Sequence, residues 1–265
     1  MTEIVLYQVD AFTDRPFAGN PAAVCPLETW LPDATLQAIA AENNLAETAF
    51  FVPQEGGYRL RWFTPTIEVP LCGHATLASA YVIAQHVEPG LQKVVFDSAS
   101  GPLTVTREGE VFTLDFPTDR PEPFDDQGAV AEALGIAPQE VLKPAKSEGG
   151  KLMAVLASEA EVRAADPDLE QVKALPGDGL IITARGEAVD FVSRYFAPHA
   201  GIPEDPVTGS AHVVLTPFWA ARLGKAKLTA RQISTRGGDL TVEDCGARTL
   251  ISGKVAPYLE GRIRV

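Results

Sequence analysis

Apolar and polar residues alternate over residues 4–12 (IVLYQVDAF), and a shorter apolar run covers 21–27 (PAAVCPL), as in strands with one buried face. From 31 to 44 the period lengthens. LPDATLQAIAAENN sets Leu36, Ile39 and Ala40 at helical spacing behind Asp33, which the pattern makes the N-cap. Strands are predicted at 48–53 (TAFFVP) and 58–64 (YRLRWFT), and a helix over 72–86 (CGHATLASAYVIAQH). Three short strands follow at 93–98, 101–108 and 111–117.

The same order of elements then recurs. Strands are predicted at 141–146 and 151–158, one helix over 159–175, strands at 179–185 and 188–196, and a helix over 209–224. Further strands follow at 227–235, 239–243 and 247–255. RWFTPTIEVP aligns with RYFAPHAGIP, pairing Arg61 with Arg194, Phe63 with Phe196, Pro65 with Pro198 and Pro70 with Pro203, all 133 residues apart. The chain therefore reads as an internal duplication, a half at 1–118 and its copy at 119–265, joined within TDRPEPFDDQG. Such a duplication places the expected binding site between its halves.

Composition narrows the partners. Thirty-five acidic against 22 basic residues give a formal charge of −13 and a pI near 4.8, which opposes binding to nucleic acid or to anionic membranes. The N-terminal MTEIVLYQVD has neither a basic n-region nor an apolar h-region, and no apolar run approaches the ~18 residues of a membrane span. A cytoplasmic location is expected. Three widely spaced cysteines (Cys25, Cys72, Cys245) form no disulfide framework or metal knuckle, and the four histidines show no zinc-ligand spacing. No metal is expected, and without GxGxxG or a P-loop no nucleotide or flavin cofactor either.

In each half the matched Arg-Phe-Pro segment runs into a glycine that opens a helix, Gly73 in PLCGHATLAS and Gly209 in EDPVTGSAHVV. The first amides of a helix lack intrahelical partners and sit at its positive end, so a glycine there lets a carboxylate come close. Gly or Ser before an apolar run is also ordinary capping; its recurrence at matched places lifts it above that. His74 follows the first glycine and Ser210 the second, and Asp205 stands four residues ahead of Gly209. A histidine in an apolar helix is ordinarily a satisfied core group, and an Asp before Pro ordinarily a turn residue. Glu47, between a helix end and the apolar strand carrying Phe50 and Phe51, is a candidate general acid or base if buried and a plain strand-edge residue if not. Cys72 beside His74 raises a thiol nucleophile as an alternative.

These segments resemble the PhzF-like isomerases of the phenazine-biosynthesis family, relatives of diaminopimelate epimerase and proline racemase. DAFTDRPFAGNPAAV, NLAETAFF, TPTIEVPLCGHAT, FDSASGPLTV and EDPVTGSAH carry the likeness, in order and over almost the whole chain. The resemblance implies an α/β (α+β) protein of two pseudo-symmetric halves, each a curved, mostly antiparallel sheet around a central helix. It also implies a homodimer, and a C-terminal strand (257–265) that can complete the first half. Glu47 matches the family's catalytic glutamate, His74, Asp205 and Ser210 its supporting polar residues, and Gly73 and Gly209 the places of the epimerases' two catalytic cysteines. Asn20 is carried as a substrate-binding candidate. The expected activity is a cofactor-independent isomerisation that moves a proton between carbons of a small carboxylated metabolite. An amino-acid racemase or epimerase using Cys72 or another base and a non-catalytic small-molecule-binding protein remain alternatives, and a Cys/His hydrolase lacks a third triad member.

Overall fold

The computed structural model describes residues 2–146 and 150–265. In chain order its elements begin with β1 (Glu3–Ala11), β2 (Asn20–Pro26), α1 (Asp33–Asn43), β3 (Glu47–Gln54), β4 (Gly57–Phe63), β5 (Glu68–Val69) and α2 (Gly73–Val82). They continue with β6 (Lys93–Ser98), β7 (Gly101–Glu108), β8 (Val111–Pro117), β9 (Pro121–Pro123), α3 (Gln127–Leu134), β10 (Glu140–Pro144) and β11 (Leu152–Val155). Then come α4 (Glu159–Ala164), α5 (Leu169–Ala174), β12 (Leu180–Arg185), β13 (Phe191–Ala197), β14 (Ile202–Asp205) and α6 (Gly209–Leu223). The chain closes with β15 (Lys227–Gln232), β16 (Gly238–Asp244), β17 (Arg248–Gly253) and β18 (Val255–Arg264). The class is mixed α+β, dominated by strands.

The chain separates into two compact units, residues 1–115 with 252–265, and residues 116–251. In the first, β18 runs antiparallel along all of β1, from Glu3 opposite Arg264 to Ala11 opposite Val255, with one bulge at Gln8/Val9. Strand β1 pairs antiparallel with β2, β2 parallel with β3 and β3 antiparallel with β4. Strand β4 pairs antiparallel with β5 and parallel with β6, and β6 to β8 form a meander. Helix α2 lies against β1, β2, β3, β7 and β18 and is buried at nearly every position from Gly73 to Val82. Such all-round burial explains its composition, since a helix enclosed by a sheet has no wet face on which to carry charge.

The second unit repeats the pairing plan. Strand β10 pairs antiparallel with β11, β11 parallel with β12, and β12 antiparallel with β13. Strand β13 pairs antiparallel with β14 and parallel with β15, and β15 antiparallel with β16. Its buried helix is α6, which tolerates an internal proline for a specific reason. Pro217 cannot donate to the carbonyl of Val213, and the Asp119 amide donates to that oxygen instead, at 3.3 Å.

The duplication extends to one polar assembly. Arg61 grips Glu68 through Nε and Nη2, both at 2.7 Å, and Arg194 grips Glu204 in the same way at 2.7 and 3.0 Å. Each guanidinium covers the phenylalanine two residues on, Phe63 at 5.1 Å and Phe196 at 4.8 Å. This corrects the last pair of the alignment. Trp62 faces Val69 and Tyr195 faces Asp205, so past the turn the copies are 136 residues apart and Pro70 matches Pro206 rather than Pro203. The three extra residues lie in the turn around the 3-10 segment Pro198–Ala200.

Four other expectations also change. The helix predicted over 159–175 is two, α4 and α5, because Pro167 holds Asp166 out of the α region; Ser158 and Asp168 cap the two starts. Helix α3 begins within the stretch read as a linker, capped by Asp126. Asp33 is the first helical residue rather than the N-cap, which is Pro32, and it accepts from Arg61 at 2.9 Å. Helix α2 ends at Val82 and passes into a π-helical turn, Ile83–Val87.

Each buried helix carries one buried histidine, His74 in α2 and His212 in α6, and burial pushes both imidazoles down to about 4. The unfolded chain binds these protons near 6.5, whereas the folded protein refuses them until about 4. Their contribution to stability is therefore complete above pH 6.5 and is lost as pH falls through that window, by up to about 1.4 kcal/mol per pH unit for each histidine. Urea denaturation between pH 7 and 4 is expected to show this slope, and His212→Asn to reduce it by about half.

Register also predicts a steric result. Thr48 faces Phe63 and Leu180 faces Phe196, so Gly179 is the counterpart of Glu47. A Cβ at Gly179, where φ is +149°, would meet the Phe196 carbonyl oxygen at 2.3 Å. Gly179→Ala is expected to destabilise the protein by about 3 kcal/mol. At Gly56, with φ +81° and nothing within 4 Å, the same change is expected to cost about 1 kcal/mol; urea midpoints compare the two.

Candidate active site

The alternation of β3 sends successive side chains to opposite faces. Phe50 and Val52 enter the cluster with Leu36, Ile39 and Ala40 of α1, whereas Glu47, on the other parity, meets α2. Asn44, in the left-handed region at φ 49°, ends α1 by donating its amide to Ala40, and three residues later the chain enters β3 at Glu47. Glu47 Oε2 lies 3.2 Å from His74 Nε2, with side-chain exposures of 14% and 5%. His74 Nε2 has no hydrogen-bond partner of good geometry, so the two groups are close without being locked together.

The far side of the ring is more crowded. Asn20 Nδ2 lies 3.2 Å from His74 Nδ1 and Cys72 Sγ lies 3.5 Å from the same nitrogen. With its pKa near 4, His74 is neutral at physiological pH, and its contact with Glu47 joins an imidazole to a carboxyl group rather than two charges. Gly73 opens α2, and the N-cap residue Cys72 makes no side-chain bond to the helix amides. Glu47, His74, Gly73 and Asn20 are thus brought together in the first unit. Asn20 has no exposed surface and lies against the histidine.

Asp205, Gly209 and Ser210 share one segment of the second unit. Asp205 ends β14 and its Oδ2 accepts from Thr208 Oγ1 at 2.5 Å. Gly209 opens α6, again without a side-chain cap, and Ser210 beside it is half-buried. The sequence gives little warning of the residue that holds this segment. Gln232, fully buried at the end of β15, accepts from the Thr208 amide at 2.9 Å and donates to the Asp205 carbonyl at 2.7 Å. Its only signal is a polar residue on the buried parity of an alternating strand. Half-buried Lys151, just before β11, was also missed: its ammonium lies 5.4 Å from the centre of the Tyr195 ring, and burial lowers its pKa against the pull of Asp178 and Asp205.

Glu47, Cys72 and His74 place one potential ligand atom each within 4.8 Å of one another. They do not suit a metal ion. One imidazole nitrogen ligates one ion, and here the thiol borders Nδ1 while the carboxylate borders Nε2. Of the other thiols, Cys25 is buried and pushed up to about 12, which leaves it protonated and inert, and Cys245 is exposed. Among the described residues, no helix is long and apolar enough to cross a membrane.

The model of the PhzC-PhzF family, phenazine biosynthesis-like proteins, matches residues 9–261. An uncharacterized isomerase of Pseudomonas aeruginosa is 51% identical over 263 residues, covering 99% of this chain and 100% of the relative. The crystal structure of a PhzF-family phenazine biosynthesis protein from Enterococcus faecalis superposes with a TM-score of 0.95 at 45% identity, over 100% of both chains. A hydroxyproline epimerase from Agrobacterium vitis shares the fold at a TM-score of 0.60 and 11% identity, covering 98% of this chain and 92% of its own. With the match running from the first strand to the last, the chain belongs to the phenazine biosynthesis-like PhzF family and is an isomerase.

Proposed function

We propose that the protein isomerises a small carboxylated metabolite, unsaturated or cyclic and amino-substituted, by moving one proton between two of its carbons with Glu47 as the only acid–base group. The observation that carries this reading is the approach of Glu47 to the neutral His74 at 3.2 Å, beside a helix that begins with a glycine. Glu47 takes a proton from one carbon and becomes a carboxylic acid. The electron pair left behind spreads along the conjugated system towards the substrate carboxylate, where the amide donors at the start of α2 stabilise it. Glu47 then returns its proton to a second carbon, with no net redox change and no external reactant.

Residue identities favour one base over two. Racemisation needs acid–base groups on both faces of a carbon, and glycines stand at both helix starts, Gly73 and Gly209. The counterpart of Glu47 in the second unit is Gly179, which carries no proton. Asp205, Ser210 and Gly209 are assigned to substrate binding, and neutral His74 to donating a hydrogen bond rather than accepting a proton. The thiol alternative is favoured by a single contact, Cys72 Sγ to His74 at 3.5 Å.

The test is solvent exchange. A panel of small cyclic and unsaturated amino carboxylates is incubated with the enzyme in deuterated water, and incorporation is read by mass spectrometry and NMR. Glu47→Gln is expected to slow incorporation by about 10³-fold or more, and Cys72→Ala to leave it within about threefold of the unmodified rate. Full exchange by Glu47→Gln, with loss in Cys72→Ala, would replace this reading with the thiol one.

A further inference from the structure

Strand register sets a lysine beside the counterpart of Glu47. Leu152 and Leu180 face each other in the parallel strands β11 and β12, and the Leu152 amide donates to the Gly179 carbonyl at 3.0 Å, so Lys151 stands at the level of Gly179. In the first unit the same two places hold Ala22 on β2 and Glu47 on β3. The second unit therefore carries its ionisable group on the neighbouring strand, and with the opposite sign.

Tyr195 builds the surroundings of that lysine. A Cβ at Gly179 would meet the Tyr195 hydroxyl at 2.9 Å, the same hydroxyl donates to the Asp178 carbonyl at 3.0 Å, and Tyr195 lies opposite Asp205 of β14. The Lys151 ammonium is 5.4 Å from the centre of this ring. Among the described residues no hydrogen bond or ion pair holds that ammonium, and Asp205 Oδ2 is engaged by the Thr208 hydroxyl. A half-buried ammonium without a paired anion is costly, and burial accordingly lowers its pKa despite Asp178 and Asp205. An anion bound beside the ring would stabilise the charged form.

We infer that Lys151 is a substrate-binding residue that holds a second carboxylate of the substrate beside Tyr195 and Asp205, and so selects dicarboxylates; this rests on the carboxylated substrate proposed above and on Asp205 as part of its site. The ammonium donates a charge-assisted hydrogen bond to that carboxylate, while Asp205 takes the amino group. Opposite charges placed around one ring read an acid and an amine together, which narrows the substrate class to amino dicarboxylates. Asp178 and Asp205 also limit the anion. The single charge of a carboxylate balances Lys151, whereas the higher charge of a phosphate group meets the repulsion of both aspartates.

Calorimetric titration of the full-length enzyme with malonate, succinate, glutarate and adipate, each against the monocarboxylate of the same length, measures this selectivity. The best dicarboxylate is expected to bind about tenfold or more tightly than its partner; equal binding throughout the series overturns the inference. Lys151→Met is expected to abolish the preference while monocarboxylate affinity stays within about threefold, and Lys151→Arg to keep it. An equal loss of both ligand types in Lys151→Met would show a purely structural role and would also overturn it. Trace acetylation of the unmodified enzyme, read by mass spectrometry, needs no variant: a saturating dicarboxylate is expected to slow labelling of Lys151 severalfold, and labelling at an undiminished rate contradicts the assignment. Phosphonoacetate binding more tightly than malonate overturns the choice of carboxylate over phosphate. Glu47→Gln separates the two claims: normal solvent exchange in that variant sinks the single-carboxylate mechanism and leaves the dicarboxylate preference, which does not use Glu47, standing on its own measurement.

Discussion

The site depends on burying a histidine in a helix that has no wet face. Because α2 is enclosed by its sheet, His74 has no water to solvate a charge and stays neutral well below physiological pH. A neutral ring has one proton to place, and its neighbours decide where. An amide and a thiol border one ring nitrogen, and the carboxylate of Glu47 approaches the other.

Around that contact the fold is a duplication whose copies have diverged in chemistry more than in frame. Both units keep the same sequence of parallel and antiparallel pairings, the bidentate arginine–glutamate grip beneath a phenylalanine, and a glycine at the start of the buried helix. What differs is the reacting position. Glu47 stands at the head of β3, and the register of β12 puts Gly179 in its place, where a close approach to the Phe196 carbonyl leaves no space for a side chain. The frame was retained because strand pairing and the arginine grip fix backbone geometry. The acid differs because close packing at Gly179 excludes any side chain from that copy.

Much of this was legible in the chain. Strands β6, β7 and β8 fall at the predicted residues because two-residue alternation is bounded by turn-forming residues at each end. Gly73 and Gly209 were visible as helix starts for the same local reason. The meeting of Glu47 with His74 was suggested by resemblance alone, since a contact between a strand head and a helix start 27 residues later has no periodic signature. The contact of Asn20 with His74 and the bracing of the Asp205 loop by Gln232 were also hidden. Both join strand ends to helix starts distant in sequence, and nothing in the composition of either strand marks the contact. The split of α4 from α5 was readable in the Asp166–Pro167 step but was overridden by a continuous helical period.

The account makes a stereochemical claim that one labelling measurement reaches directly. A substrate found by solvent exchange is deuterated at the carbon that loses its proton, turned over in ordinary water, and analysed for label at the carbon that gains one. One carboxylate acting on one face predicts that part of the deuterium is carried across and arrives on the face from which it left. Complete loss of the label, with solvent hydrogen delivered to the opposite face, would require a second acid–base group and would contradict the single-glutamate mechanism.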